Sequence, residues 1–210
     1  MVGHVHLTLI MLAAFIAVAS PGPAVMAIAG TSVRAGRRTG LIFASGVTTG
    51  SLTWSIGAAA GLSAVMLANA WLIEIVRYCG GGYLLFLALK SARAAIRPGD
   101  DAMPQGLAHA SARRAYARGL ALHLTNPKAI LFFGSLYSFG VPADATLGDL
   151  ALIVIMVGLQ SATILHGYAL LFSNPVVVRG YLKLRRWFEG AFALAFGYAG
   201  VKILTAKLQS

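Results

Sequence analysis

Six long apolar runs, separated by short connections, make up most of this chain, and no other feature limits its fold as strongly. The runs cover residues 7–30, 40–68, 71–89, 119–140, 149–172 and 187–206. A helix rises about 1.5 Å per residue, so each run can cross a hydrocarbon layer of about 30 Å. Backbone groups inside lipid must be hydrogen-bonded within the chain, which favours helices there. The sequence therefore predicts an all-α, polytopic membrane protein with six transmembrane helices.

The composition excludes several other classes of protein. Only 11% of the residues are charged, whereas an ordinary soluble domain has about 25%. A soluble enzyme, a DNA-binding domain and a disordered tail are excluded on this ground. The formal net charge of +11 does not indicate a nucleic-acid partner, because such binding needs a solvated basic face. One cysteine and no carboxylate–histidine cluster within any run predict no metal site, and we predict no cofactor.

The basic residues predict the topology. Thirteen of the 17 Lys and Arg residues follow the first, third and fifth runs, and the connections 69–70 and 141–148 contain none. The positive-inside rule makes the basic connections cytoplasmic, so both termini are predicted to be periplasmic. We predict a single transporter domain over 1–210, with one repeat at about 1–90, a cytoplasmic loop at about 91–118 and a second repeat at about 119–210.

Two of the runs contain proline-rich interruptions. The first run contains 20–23 (Ser-Pro-Gly-Pro), and the fourth contains 125–128 (Thr-Asn-Pro-Lys). Pro23 lies about 16 Å of helix from Arg34, and Pro127 lies about 14 Å from Arg118, which places both breaks near the middle of the bilayer. A proline inside a helix removes a backbone hydrogen bond, and the freed groups must then face protein or water. Proline also occurs as a simple kink in membrane helices, so the sequence leaves this structural reading open.

The two interruptions also predict the architecture. Each has a hydroxyl residue just before its proline and a glycine seven residues after Pro23 or Pro127. Two halves of three spans each must have opposite orientations, and inverted repeats with broken helices at the midplane are typical of secondary transporters. The helices that restart after the prolines should offer free N–H groups to an anionic group such as a carboxylate. The glycine pairs 46/50 and 57/61 should let helices pack closely, within one subunit or in a homo-oligomer.

The sequence also resembles the LysE/RhtB family of amino-acid exporters over most of its length. The resemblance is carried by the segment 20–23, by Gly36, Gly40, Gly46 and Gly50, by 61–62, 77–84, 124–129 and 132–133, and by the Tyr168-Ala169 pair. It implies export of amino acids or related small metabolites across the bacterial inner membrane, driven by the ion gradient, with protons as the coupled ion. Family members often carry an aspartate seven residues before the Tyr-Ala pair. Here Ser161 occupies that position, so the resemblance implies no acidic amine-binding group there.

Several polar side chains inside the runs are candidate functional groups. Lys128 could bind a carboxylate or take part in coupling, or it could cap the carbonyls freed by the break. Arg77 and Glu74 can pair on one helix face, and Arg77 can reach toward the periplasm or contact substrate. His123 and His166 could carry protons, although hydrogen-bonded core residues are the commoner case. Glu189 lies beside Arg185 and Arg186, which predicts a surface ion pair.

The sequence-based hypothesis is an alternating-access exporter of neutral or zwitterionic amino acids. The predicted substrate-binding residues are Ser20, Pro21, Gly22, Pro23, Thr49, Thr125, Asn126, Pro127 and Lys128, and the predicted coupling or gating residues are Arg77, Glu74, His166 and His123. Ser20, Asn126 and Thr49 are the candidate partners of the substrate ammonium group. An intramembrane enzyme is the alternative from another class, but the Gly-x-Ser-Gly context of a rhomboid-like serine nucleophile is missing. An exporter of metals or other metabolites with related architecture is the remaining alternative.

Overall fold

The computed structural model describes residues 7–68, 70–96, 106–107, 110–141 and 145–205, without the side chains of 62–77, 80, 138–140 and 203. Within these residues every regular element is an α-helix, which confirms the all-α prediction. The helices are α1 (Leu7–Ala19), α2 (Pro23–Ala68), α3 (Ala70–Ile96), α4 (Ala112–Leu124), α5 (Pro127–Gly140), α6 (Leu147–Leu171) and α7 (Pro175–Thr205).

Both predicted helix breaks are present. α1 ends at Ala19, and α2 begins at Pro23 after a bend of 51°. α4 ends at Leu124, and α5 begins at Pro127. Proline lacks an N–H group but fits the first position of a helix, where that group would be unpaired in any case. Each interrupted run therefore restarts as a new helix at a proline.

A single glycine joins the first two apolar runs. α2 continues from Pro23 to Ala68, but Gly36 within it has φ 81° and ψ 167°, which no helical residue adopts. This backbone conformation is essentially restricted to glycine, because a Cβ would clash there. The exposed Gly36 thus turns the chain beside the basic cluster at 34–38.

Three helices extend well beyond the predicted runs, and one of them, α4, begins at Ala112 instead of residue 119. α3 continues to Ile96 instead of ending at residue 89, and α7 begins at Pro175 instead of residue 187. The predicted bounds followed the onset of charge, which marks where a helix leaves the hydrocarbon but does not end the helix itself. The basic residues at 179–186 therefore lie on the first turns of α7.

Glycines set the closest helix–helix approach. α3 packs along α7, α2 packs against α4 and α6, and α1 packs against α6. A Cβ on Gly46 would lie 2.1 Å from the carbonyl oxygen of Tyr116, and one on Gly119 would lie 2.2 Å from the carbonyl oxygen of Phe43. The α2–α4 crossing therefore requires glycine on both helices. By contrast, Gly57 and Gly61 have no described atom within 4 Å of such a Cβ.

Large apolar side chains cover much of the outside of the bundle. Leu12, Ile56, Phe86, Ile155 and Leu194 are all more than half exposed, as expected for a surface that faces lipid. By length and apolar composition, one described helix, Leu147–Leu171, suffices alone to cross a membrane, and the bent α1–α2 pair also qualifies if it is one span. The arrangement of six spans stays a prediction.

Candidate functional site

The side chain of Lys128 joins the two helix breaks. Its Nζ donates a hydrogen bond of 3.3 Å to the carbonyl oxygen of Ser20 and also contacts the Ser20 hydroxyl. Gly22 lies against this side chain, since a Cβ there would be in van der Waals contact with Nζ at 3.4 Å. Residues 108 positions apart in the chain are thus brought together where α1 gives way to α2 and α4 gives way to α5.

Three carbonyl groups at the end of α1 and just after it accept hydrogen bonds from side chains. The buried Ser20 hydroxyl donates to the carbonyl of Ala17 at 2.9 Å, and the Tyr168 hydroxyl donates to that of Ala19 at 2.8 Å. Lys128 donates to the carbonyl of Ser20. Lys128 therefore does cap the break, as the structural reading expected, and in doing so it places a cationic group beside the interrupted backbone.

The two restarting helices differ in what their first N–H groups contact. At α5, Asn126 is the N-cap, and its Oδ1 accepts the N–H of Lys128 at 3.1 Å, while its carbonyl accepts the N–H of Ala129 at 2.9 Å. The expectation of free N–H groups at α5 is therefore wrong, because the cap residue occupies them. At α2 the first such bond is from Met26 to Gly22, at 3.0 Å.

The open helix start is that of α2. The N–H groups of Ala24 and Val25 precede the first α2 backbone bond, and neither has a partner among the described residues. The first N–H groups of a helix normally lack an intrahelical partner and carry the positive end of the helix dipole. Only this one of the two breaks therefore retains the donors that the sequence predicted for both.

A cavity of about 50 Å³ lies between the two breaks. Its polar lining includes Ser20, Ser51, His123, Asn126 and Lys128, and its apolar lining includes Ala24, Val25, Phe132, Phe133 and Leu165. The cavity has room for a few water molecules, whereas benzene fills a cavity of about 150 Å³. A whole amino acid would thus require the surrounding helices to move apart. Among the described residues that line the cavity, none is a carboxylate.

The predicted site residues separate into two groups. Ser20, Gly22, Asn126 and Lys128 line the cavity, and Pro21, Pro23, Thr125 and Pro127 shape the breaks beside it. Thr125 uses its hydroxyl within α4, on the carbonyl of Ala121. Thr49 does not line the cavity: its hydroxyl donates to Ser45 and accepts from Tyr116 at 2.9 Å. Helical geometry points this residue at α4, which sequence spacing alone did not show.

The predicted coupling residues are not gathered at the cavity. Glu74 and Arg77 belong to α3, but their side chains lie outside the described part of the structure. His166 does not line the cavity, and its Nε2 lies 3.0 Å from the Ser45 hydroxyl while its Nδ1 lies 2.8 Å from the carbonyl of Ala162. Both ring nitrogens of His166 are thus hydrogen-bonded.

His123 differs from His166 in this respect. It is 9% exposed and lines the cavity, yet neither ring nitrogen has a hydrogen-bond partner among the described residues. Buried polar groups are normally paired, so an exception needs an explanation. The expectation of a satisfied core histidine is wrong here, because the side chain ends at a cavity.

Two further polar features were missed or misread from the sequence. Ser51 lines the cavity and donates to Ser161 at 3.3 Å, so the serine that replaces the family aspartate contacts a lining residue. Glu189 pairs with Arg185 at 3.9 Å, so the predicted ion pair is present, but Glu189 is only 5% exposed, so its predicted surface position is wrong. The extension of α7 to Pro175 puts both residues on one helix, and α3 covers that helix. A search for helix signals before residue 187 could have found this.

Comparison with known proteins gives consistent matches along the chain. The family model described as LysE type translocator matches residues 15–207. The threonine efflux protein of Salmonella typhi is 31% identical over 197 residues, which cover 91% of this chain and 94% of that protein. The leucine efflux protein of Klebsiella pneumoniae is 31% identical over 210 residues, which cover 98% and 96% of the two chains. No solved structure matches the sequence.

Proposed function

The chain belongs to the LysE type translocator family, and from this premise we propose that it exports neutral or zwitterionic amino acids across the bacterial inner membrane. As a member of this family it is a membrane transporter and not an enzyme. Threonine and leucine, the amino acids in the names of its relatives, are the first candidate substrates. Both carry one carboxylate and one ammonium group with an uncharged side chain.

One observation carries the proposal: the ammonium group of Lys128 lies at the junction of two broken helices, beside a cavity. A charge buried at this depth costs about 2.5–3.5 kcal/mol even on the gentler insertion scale, so a lysine is rarely kept there without a function. The substrate carboxylate would bind Lys128 together with the N–H groups of Ala24 and Val25, which line the same cavity. Binding there replaces water around the carboxylate with three donors.

The helix contacts support an inverted repeat. If α1 and the start of α2 correspond to α4 and α5, the second part of α2 corresponds to α6, and α3 corresponds to α7. Exchange of the two halves then maps the α1–α6 contact onto the α2–α4 contact and the α3–α7 contact onto itself, and all three contacts occur. Such a pair of halves can rock about a site at their interface, which is how alternating access works in secondary transporters. We propose six spans with both termini in the periplasm.

His166 is the proposed proton carrier. Its Nδ1 faces a carbonyl oxygen and therefore carries a hydrogen, while Ser45 lies 3.0 Å from both Nε2 and the carbonyl of Leu41. With Nε2 unprotonated, Ser45 donates to it. With Nε2 protonated, the ring donates to Ser45, whose hydroxyl turns to Leu41. Both states keep every ring hydrogen bond, so a proton can bind with only a hydroxyl rotation.

The surroundings of His166 suit this role. α6 packs against α1 and α2, and neither α1 nor the described 39–61 part of α2 carries a charged side chain. The two described groups that contact its ring nitrogens, the Ser45 hydroxyl and the Ala162 carbonyl, are also uncharged. Movement of the helices around His166 can respond to whether it is protonated.

Efflux from proteoliposomes tests the proposal. Vesicles that contain the purified protein and labelled threonine or leucine should lose label faster than protein-free vesicles. Pro23→Ala and Pro127→Ala should slow efflux, because the broken backbone that shapes the site can then close into continuous helix. Pro175→Ala is the matched control, since this exposed proline begins α7 away from the cavity. Efflux of neither amino acid above the protein-free level would refute the proposed function.

A further inference from the structure

We propose that His123 recognises the α-ammonium group of the exported amino acid by accepting a hydrogen bond from it. This inference rests on the proposed function and assigns, in the same cavity, the partner of the substrate's other charged group. A neutral imidazole has one nitrogen that donates and one that accepts, so it can serve as the partner of an ammonium group.

The ring is held in place but its nitrogens are not used. A Cβ on Gly50 would lie 2.9 Å from the Cβ of His123, so the backbone of α2 passes directly against the base of this side chain. The side chain is 9% exposed, and neither nitrogen has a partner in the described part of the chain. The ring also lines the cavity. A fixed, unpaired polar group at a cavity wall is suited to a ligand that brings the missing hydrogen bond.

The other candidate acceptors already take part in hydrogen bonds within the protein. The Ser20 hydroxyl donates to the carbonyl of Ala17 and contacts Lys128. The side-chain Oδ1 of Asn126 accepts the backbone N–H of Lys128. Thr49 lies against Tyr116 and away from the cavity. No described carboxylate lines the cavity either. His123 is the buried lining group whose nitrogens are left for the ammonium.

The charges in the cavity agree with this assignment. Lys128 disfavours a second positive charge nearby, which keeps the imidazole neutral and able to accept. A zwitterion would place its carboxylate at Lys128 and its ammonium at His123, with Ser51 beside it on the same lining. Ser51 donates to Ser161, so its oxygen can still accept. A neutral acceptor in place of a carboxylate also disfavours substrates with a second positive charge, such as lysine.

Competition between an amino acid and its hydroxy analogue tests the inference. Proteoliposomes loaded with unlabelled leucine take up labelled leucine by counterflow, and the competitors are leucine and 2-hydroxy-4-methylpentanoate, in which a hydroxyl replaces the ammonium. If only threonine is transported, threonine and 2,3-dihydroxybutanoate are used. For the wild type the hydroxy acid should inhibit about tenfold more weakly, because its neutral hydroxyl donor replaces a charge-assisted one. In His123→Leu the two competitors should become similar, and His123→Gln, which keeps an acceptor, should restore part of the preference.

The outcomes separate the inference from the proposed function. Counterflow of neither amino acid by the wild type refutes the export function. Intact counterflow by His123→Leu with an unchanged preference refutes only the role of His123. If that variant does not fold, ring-nitrogen NMR of the wild type decides, with His123→Gln used for assignment. The transported amino acid should then shift the His123 signals and its hydroxy analogue should not, and the absence of a difference overturns the inference.

Discussion

Replacement of Gly46 by alanine should separate α2 from α4 and destabilise the protein. The added Cβ would lie 2.1 Å from the carbonyl oxygen of Tyr116 and 2.8 Å from the nitrogen of Leu120. Real Cβ atoms almost never approach other heavy atoms within 3.0 Å. Because both obstructing atoms belong to helix backbone, no side-chain rotation relieves the clash, and α4 must move away by about 1 Å. Overpacking of this kind costs about 1–3 kcal/mol.

Thermal unfolding of the purified protein in detergent measures this cost. For a chain of 150–250 residues, about 1 kcal/mol corresponds to about 2–4 °C, so Gly46→Ala should lower the Tm by about 2–12 °C. Gly57→Ala is the matched control, because its Cβ would meet no described atom within 4 Å. α4 also carries His123, so the shifted helix should reduce transport as well. Equal Tm values for Gly46→Ala, Gly57→Ala and the wild type would refute the close α2–α4 crossing.

Three other substitutions test separate parts of the structure. Asn126→Ala removes the N-cap of α5 and should lower the free energy of unfolding by about 0.5–2 kcal/mol, which denaturant unfolding measures; unchanged stability would show that the cap bond to Lys128 is not formed. Tyr137→Phe removes the buried 2.7 Å hydrogen bond with Ser55 and should cost about 1–3 kcal/mol in the same measurement, and a neutral effect would argue against that contact. His166→Gln should retain counterflow but lose efflux driven by a pH gradient, and normal gradient-driven efflux would contradict a proton-carrying role.

The helix breaks could be predicted from the sequence because their cause is local. Proline lacks an N–H group wherever it occurs, so both interrupted runs could be found without knowledge of the fold. The start of α7 was missed because the predicted helix bound followed the onset of charge at 179–186, which marks only the membrane boundary. The same reasoning misjudged Glu189, whose burial depends on α3 covering α7.

Which residues form the site depends on contacts between distant parts of the chain. Lys128 and Ser20 were singled out separately, and only the fold shows that they touch. The fold likewise decides the roles of His123 and Thr49. α4 points the histidine into the cavity and covers the threonine with Tyr116, so the histidine lines the cavity and the threonine does not. The N–H group of Lys128 at the start of α5 is not free as predicted, because it donates a hydrogen bond to the side chain of Asn126. Sequence spacing finds the interrupted backbone, whereas the fold decides which donors and acceptors remain available to a substrate.

The central claim is that the cavity at the two helix breaks binds the carboxylate of an amino acid. The most direct test compares leucine with leucinamide, which lacks the carboxylate, as competitors of labelled-leucine counterflow. The wild type should prefer leucine by at least about tenfold, and Lys128→Met should lose most of this preference, as expected for a charge-assisted hydrogen bond. Lys183→Met, which changes an exposed lysine on α7, should behave as the wild type. Equal competition by leucine and leucinamide in the wild type, or an unchanged preference in Lys128→Met, would contradict the account.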